Sequence, residues 1–324
     1  RRAWGWVESR LPDGVHVEGV TGRLRSPLEF RGLSVEKEAF TDRVDRIRLD
    51  WKLLPLLKRT QEIGAIRVEE VEIALHRTDG DSAAAALDSL PPMVFPLALM
   101  VSEASVEGVT IHREVEPDAL RRVDTLRGAN LSFRDRIEIP ELTLAGPEGE
   151  LAISGWLQPR GSYAHSLEAT ASLTLSGQPE VAGRLAMAGT LEEVGLEAEL
   201  TSPARALLAG SVVDLLGRRE LWIEISSQGT VQARALRASW PDVSVEGYAE
   251  IRGTPDTLSA RSELGIRAPG VEVVTLRSLV SWTGAVLEIE AVRGEQGEAL
   301  LEGSGQVRLG SPEPTLAMEA TWQA

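Results

Sequence analysis

Cysteine is absent from the 324 residues of this chain. Disulfide bonds, thiolate nucleophiles and zinc sites built on thiolates are therefore excluded. Aromatic residues contribute only 4% of the sequence, with 8 tryptophans against 4 phenylalanines and 2 tyrosines. Because the hydrophobic content is nevertheless 43%, any apolar surface must consist mainly of Leu, Val, Ile and Ala.

Long hydrophobic runs are also lacking. No window of about 18 apolar residues exists, so the sequence predicts no membrane-spanning helix. Basic residues are outnumbered, with 34 Lys and Arg against 49 Asp and Glu, which gives a net charge of −15. Without an extended basic cluster, this balance predicts no nucleic-acid partner and no docking on an anionic bilayer.

Recognisable catalytic patterns are missing as well. The four histidines are His16, His76, His112 and His165. They lack metal-ligand spacing, so we expect them to be surface side chains. Two carboxylate pairs could in principle serve a glycosidase, but they alternate with apolar residues and are expected on a solvated face: Glu197 with Glu199, and Glu288 with Glu290. The sequence therefore predicts no enzyme activity, no cofactor and no metal site.

Strand patterning is what the sequence does contain. In residues 181–200, apolar residues alternate at Leu185 and Met187, the chain turns, and alternation resumes at Leu196, Ala198 and Leu200. This pattern predicts two half-buried strands joined by a tight turn. Similar patterns recur at residues 167–175, 221–225, 231–235, 258–266, 287–289 and 316–322.

Turn signals divide the chain from Asn130 onward at intervals of roughly a dozen residues, the spacing of an all-β protein. Asn130 is the only asparagine, which disfavours a parallel β-helix with asparagine ladders. Before it, strands are expected at residues 15–20, 28–35, 44–51, 68–75 and 95–111. The predicted fold class is all-β: one elongated, curled antiparallel sheet that forms a groove, with a few short helices.

Helices are expected to be few. Apolar spacing predicts them at residues 1–11, 82–90, 117–127 and, less clearly, 204–213, with one helical turn at residues 53–58. The first could be an ordinary short helix or one that contacts a membrane surface or partner, and the third a connector or a plug of the groove. We expect two regions, residues 1–127 with these short helices and residues 128–324 with continuous strand repeats, without a clear linker.

The order of segments near the start resembles a known family. A Gly-rich stretch at residues 20–24 is followed by LEFRGLSV at residues 28–35, VDRIRLDW at residues 44–51 with a Leu-Leu turn, and the strand of residues 63–75. This succession resembles the membrane-proximal start of the TamB and AsmA-like family. The turns GTLEE at residues 189–193 and GTPDTL at residues 253–258 resemble the repeats of that family.

The resemblance implies a folded-over β groove, the β-taco, that guides phospholipids through the periplasm between the two membranes of a Gram-negative envelope. The family also has an N-terminal helix in the inner membrane and a C-terminal region that meets an outer-membrane barrel partner. Neither is recognised here, so we expect a fragment of a periplasmic protein that is anchored to the inner membrane at full length.

The apolar strand residues also indicate, without the resemblance, that lipid acyl chains fill the groove. An apolar trough wider than about 10 Å cannot be filled by facing side chains, and exposed apolar patches beyond a few hundred Å² mark binding sites; acyl chains are the natural filler. The predicted lining residues are Ile47, Leu49, Trp51, Ile73, Leu75, Leu131, Phe133, Leu173, Leu175, Leu185, Met187, Leu196, Leu200, Ile223, Ile225, Val243, Val245, Leu264, Ile266, Val307, Leu309, Leu316 and Met318.

Two other functions remain open from the sequence. One is an assembly factor for outer-membrane β proteins that acts by strand addition at an exposed sheet edge, a second function that the family resemblance implies. The other is an all-β carbohydrate-active or carbohydrate-binding protein, which a clustered polar or aromatic pocket would support. The leading hypothesis is a non-enzymatic lipid-transfer conduit.

Overall fold

A computed structural model describes most of the chain. The described residues are 14–23, 27–36, 40–52, 60–75, 97–113, 116–174, 179–236, 239–284, 286–308 and 315–323. Packing groups the chain into two units, which divide between Ala169 and Thr170. The boundary that we expected after residue 127 lies within a strand, Glu116–Phe133.

The first unit is built of long strands. They are β1 (Val15–Thr21), β2 (Leu28–Glu36), β3 (Phe40–Lys52), β4 (Thr60–Leu75), β5 (Ala98–Arg113), β6 (Glu116–Phe133), β7 (Ile137–Gly146), β8 (Gly149–Leu157) and the start of β9 (His165–Leu173). The four strands expected before residue 76 all occur, as β1 to β4.

The second unit continues with shorter strands. They are β10 (Val181–Gly189), β11 (Glu193–Ser202), β12 (Ala206–Val213), β13 (Glu220–Ser227), β14 (Val231–Gln232), β15 (Ser244–Thr254), β16 (Thr257–Arg267), β17 (Val274–Thr283), β18 (Val286–Gln296), β19 (Ala299–Arg308) and β20 (Thr315–Gln323). A single helical turn, α1 (Ala233–Leu236), follows β14. It occupies the second half of the strand that we expected at residues 231–235.

The predicted all-β sheet is confirmed, since all twenty strands belong to one sheet and helix is almost absent from the described residues. Neighbouring strands with a defined register pair antiparallel, and β13 and β14 both pair with β15. The exception to antiparallel pairing is β4, which pairs with β5 in parallel, Ile63 beside Val101 and Ile73 beside Ile111. A parallel neighbour requires a connection of a dozen residues or more. The chain between Leu75 and Ala98 is long enough to provide it.

Two predicted helices are wrong. Residues 117–127 lie in β6, and residues 206–213 of the fourth expected helix form β12. The spacing of Val123 and Leu126 suggested a helical stripe, but these residues pair with Val109 and Val106 of β5. The expected helices at residues 1–11 and 82–90, and the turn at residues 53–58, lie outside the described residues.

Few side chains are fully buried. Among the described residues, the buried apolar side chains are Val17, Ile63, Val101, Pro159, Tyr163, Val194 and Ala233. Most other apolar strand residues are half-buried. Since the described elements other than strands amount to one helical turn, they provide no second layer that could cover a face of the sheet.

Candidate functional site

One face of the second unit is aliphatic across its strands. Strand register places Met187 opposite Leu196, and Gly210 opposite Ile223. Because directly paired residues project to the same side of a sheet, such pairs define continuous rows. One row comprises Met187, Leu196, Gly210, Ile223, Ile251, Ala260, Val280, Ile289 and Gly305. A second comprises Gly189, Val194, Val212, Leu221, Gly253, Leu258, Trp282, Leu287 and Val307.

A third row adds Leu185, Ala198, Leu208, Ile225, Ala249, Ser262, Ser278, Val292 and Gly303. We call these three rows the aliphatic face. None of their residues carries a charge. The two polar members satisfy each other, since the hydroxyls of Ser262 and Ser278 lie 2.7 Å apart in a hydrogen bond. The face therefore presents no unpaired polar side chain along these rows.

The opposite face of the second unit is polar. The row between the first and third aliphatic rows comprises Ala186, Glu197, Ala209, Glu224, Glu250, Arg261 and Leu279. In another row of this face, Arg277 Nε lies 3.1 Å from Glu263 Oε2, and this hydrogen bond raises the pKa of Arg277. Its guanidinium is half exposed, so the ion pair contributes little stability and marks a solvated surface.

The first unit carries a comparable face, but its strands shift phase. Row partners there include Val17, Leu33, Val44, Val71, Val109 and Val123. A neighbouring row comprises Val20, Phe30, Ile47, Val68, Val106, Leu126 and Leu144. In each of the strands β1 to β6, three positions separate the residue in one row from the residue in the other. In a regular strand, residues on the same face are separated by an even number of positions.

The phase shift coincides with left-handed backbone. Gly32, Glu70 and Gly108 have φ values of +59°, +53° and +73°, and each lies between the two rows. We infer that these residues interrupt the alternation of faces, so that both rows stay on one side. The resulting tetrads, apolar at both ends and polar or glycine between, are residues 17–20, 30–33, 44–47, 68–71, 106–109 and 123–126.

A second pair of rows three residues apart crosses the same unit at residues 63–66, 101–104, 128–131 and 139–142, although its members include Ala104 and Gly128. Asn130, with φ +53°, marks it in β6. Ile63, Val101 and Leu131 form one row beside it, and two of these three are among the buried residues. The sequence prediction missed both lines, although the three-residue spacing of aliphatic residues was a signal for them.

The predicted lining residues fall mainly on these rows and their neighbours on the same side. In the first unit they are Ile47, Leu49, Trp51, Ile73, Leu131 and Phe133, and in the second Leu185, Met187, Leu196, Leu200, Ile223, Ile225, Val245, Leu264, Ile266 and Val307. That they line a lipid groove stays a prediction. In the first unit, the row that contains Ile73 also contains a charged residue, because Ile73 pairs with Asp42. The uncharged rows of this unit therefore do not extend past Ile73.

The remaining predicted lining residues are placed differently. Val243 precedes β15, where its carbonyl accepts a hydrogen bond of 2.8 Å from the Ala233 amide; the loop after α1 therefore takes it out of the strand in which we expected it. Leu173 ends β9 and is 38% exposed. Leu75, Leu316 and Met318 lie in strands that pair as expected, but their side chains are outside the description. Leu175 and Leu309 lie outside the described residues.

The aliphatic face is accessible. Leu185 is 40% exposed and Trp282 is 43% exposed, and most other residues of the three rows are half-buried. Val194, at 4%, is the exception. Contiguous apolar exposure beyond a few hundred Å² is rare on soluble proteins unless something binds there. This face is the strongest candidate site in the described part of the chain.

The described residues contain no group of three or more His, Asp or Glu with the geometry of a metal site. The expectation of surface histidines is wrong for His165, which is buried at the start of β9, where its Nδ1 lies 3.0 Å from the Tyr163 carbonyl oxygen. His112 Nε2 lies 3.4 Å from Glu72 Oε1 on the surface. Within the same residues, no helix is both long enough and apolar enough to cross a membrane.

No family model, curated protein or solved structure matches the chain.

Proposed function

We propose that this chain is a non-enzymatic lipid-transfer conduit, in which the aliphatic face holds phospholipid acyl chains. The observation that carries the proposal is the uncharged, half-exposed face that runs through the strands of the second unit. An acyl chain matches it chemically, because each methylene group that leaves water contributes about 0.8 kcal/mol.

The composition of the aliphatic face favours movement of a lipid along the rows over tight binding at one position. Leu, Ile, Val, Ala and Gly, which make up most of the rows, offer no hydrogen bond and no charge to a ligand, so a lipid on this face has few anchor points along the rows. A charged group would create both a barrier and an anchor, at a cost of roughly 2–4 kcal/mol by analogy with insertion into a bilayer. The headgroup would stay in water at the edge of the face.

The location belongs to the proposal. We place the chain in the periplasm of a Gram-negative envelope, in a longer protein anchored to the inner membrane, with phospholipids as its cargo and an outer-membrane barrel protein as its partner. The resemblance of residues 20–75 to the TamB and AsmA-like family supports this placement. Strand addition to outer-membrane β proteins remains a prediction.

Lipid extraction tests the proposal. The chain is purified without detergent from bacteria, and the organic extract is analysed by mass spectrometry. Phospholipid in at least equimolar amount is expected, with no selection for one headgroup because the face does not contact headgroups. The purified Leu196→Arg variant is the matched comparison and should retain several-fold less lipid. An extract without phospholipid from correctly folded protein would contradict the proposal.

A further inference from the structure

A second candidate site lies on the polar face of the second unit, on the other side of the sheet from the acyl chains. Here a cavity of about 630 Å³ opens where β12 and β15 end and β13 and β16 begin. Trp222 forms one wall, together with Ser211 and Arg252, its direct partners in the neighbouring strands. The volume falls within the range of small-molecule sites.

Trp222 is unusual on this face. It is 38% exposed in a row whose nearest other members are Ser211, Arg252 and Ser259. Its indole Nε1 donates a hydrogen bond of 3.0 Å to Glu250 Oε1, and Arg252 Nε donates to the same oxygen. Both bonds lower the pKa of Glu250, that from Trp222 most. The ring orientation is therefore fixed before any ligand arrives, which reduces the entropy lost on binding.

Hydroxyl groups line the same cavity. The hydroxyls of Thr254 and Thr257 lie 3.1 Å apart, and both residues line the cavity with Ser211. One threonine donates to the other, so the acceptor keeps its own proton for a ligand. Glu220 adds a carboxylate acceptor. The cavity thus combines apolar surface from Trp222, Val213 and Leu221 with several hydrogen-bonding groups.

Charge narrows the ligand class. Glu220 and Glu250 disfavour an anion, and the Arg252 charge is already paired with Glu250. A neutral ligand with an apolar face and hydroxyls at its edge fits best, because the ring surface and the rim then each meet a matching part. A pyranose sugar has this form: C–H groups cover one face of its ring, and hydroxyls project from the edge.

We propose that this cavity binds a neutral saccharide, with the sugar ring stacked on Trp222 and its hydroxyls bonded to Ser211, Thr254, Thr257 and Glu220. The argument for this site does not use the lipid proposal, because the groups that would contact the sugar lie on the opposite face of the sheet. Leu221 and Gly253 of the second aliphatic row also line the cavity, but none of the proposed contacts depends on them. It would let the protein attach to a glycan while the aliphatic face remains open.

The test uses the whole chain with ¹⁵N-labelled tryptophan. Cellotetraose, maltotetraose and tetra-N-acetylchitotetraose are titrated separately, and the indole N–H resonance of Trp222 is assigned from its loss in Trp222→Phe. At least one sugar should shift this resonance saturably, with a Kd of about 1 mM or tighter. Trp222→Ala should weaken binding at least tenfold by calorimetry, whereas Trp222→Phe, which keeps an aromatic surface, should weaken it about threefold or less.

Two controls separate the sites. Trp282→Ala removes an equally exposed tryptophan from the aliphatic face and should leave sugar binding unchanged. Leu196→Arg should do the same even where it abolishes lipid retention. The inference is overturned if none of the three sugars shifts the Trp222 resonance, or if folded Trp222→Ala protein binds the sugar as tightly as the parent.

Discussion

Glu70 of β4 lies against Gly108 of β5, and both have left-handed backbone conformation, with φ values of +53° and +73°. A Cβ atom placed on Gly108 would lie 3.1 Å from Glu70 Oε1. The two residues occupy the same line of phase shift in adjacent parallel strands. These conformations interrupt the alternation of faces at the same position in β4 and β5. The aliphatic residues on both sides of that position therefore remain on one face.

The first prediction concerns this line. Gly108→Ala should destabilise the protein by about 1–2 kcal/mol, because a left-handed residue with a Cβ carries that cost. Glu70→Gly should be more stable than Glu70→Ala by about 1 kcal/mol for the same reason. Urea denaturation measures both differences. Gly64→Ala is the control, since Gly64 has neither left-handed φ nor a neighbour closer than 3.5 Å; equal losses at Gly64 and Gly108 would refute the explanation.

The second prediction separates the two faces of the sheet. Leu196→Arg and Ile223→Asp place charges on the aliphatic face and should abolish lipid transfer, while the protein still folds because neither residue is fully buried. Glu197→Arg and Glu224→Arg alter the adjacent polar positions and should leave transfer unchanged. Transfer of a fluorescent phospholipid between vesicles provides the rate, and circular dichroism verifies the fold.

One outcome of the transfer experiment would contradict this prediction. Equal loss of transfer from both pairs of variants would mean that net charge, and not the aliphatic face, governs the activity. In cells that carry the full-length protein, normal envelope function with Leu196→Arg and Ile223→Asp combined would count decisively against a lipid path through this segment.

A third prediction uses the hydroxyl pair of Ser262 and Ser278. Replacing both by alanine removes donor and acceptor together, so stability should change by less than about 1 kcal/mol, and lipid transfer should persist because the face becomes more apolar. Ser262→Asp instead places a charge at the same point and should block transfer. If the double alanine variant loses transfer, the hydroxyls have a role that an apolar conduit does not explain.

The fourth prediction is a pH dependence at Glu250. Hydrogen bonds from Trp222 and Arg252 lower its pKa below the ordinary value of 4.5 in the folded state. The unfolded chain therefore binds more protons near that pH, and the stabilising contribution is present above 4.5 and lost as the pH falls through the folded-state pKa. Urea midpoints of Glu250→Gln should consequently vary less than those of the parent between neutral pH and about pH 3.5. Identical pH profiles would contradict the assignment.

Local pattern was enough to predict the hairpin of β10 and β11. Leu185 and Met187 alternate with polar or small residues, as do Leu196 and Leu200, and the register places Leu185 opposite Ala198 and Met187 opposite Leu196. Two-residue alternation is a property of each strand by itself. It can therefore be read from one sequence.

Other features depend on distant segments and could not be read in this way. The helix expected at residues 117–127 came from the three-residue spacing of Val123 and Leu126, which a phase shift in β6 also produces; only pairing with β5 distinguishes the two. Parallel pairing of β4 with β5 leaves no local trace. The cavity at Trp222 likewise joins residues from four strands, such as Ser211 and Thr257, whose proximity depends on the complete register.

The most direct test of the central claim is site-specific photocrosslinking in cells. A photoreactive phenylalanine derivative replaces Leu196 or Ile223 on the aliphatic face, and Glu197 or Glu224 on the polar face. After irradiation, mass spectrometry of the purified chain should detect phospholipid adducts at Leu196 and Ile223, and several-fold fewer at Glu197 and Glu224. Adducts at similar levels on both faces, or on neither, would contradict an acyl-chain path along the aliphatic face.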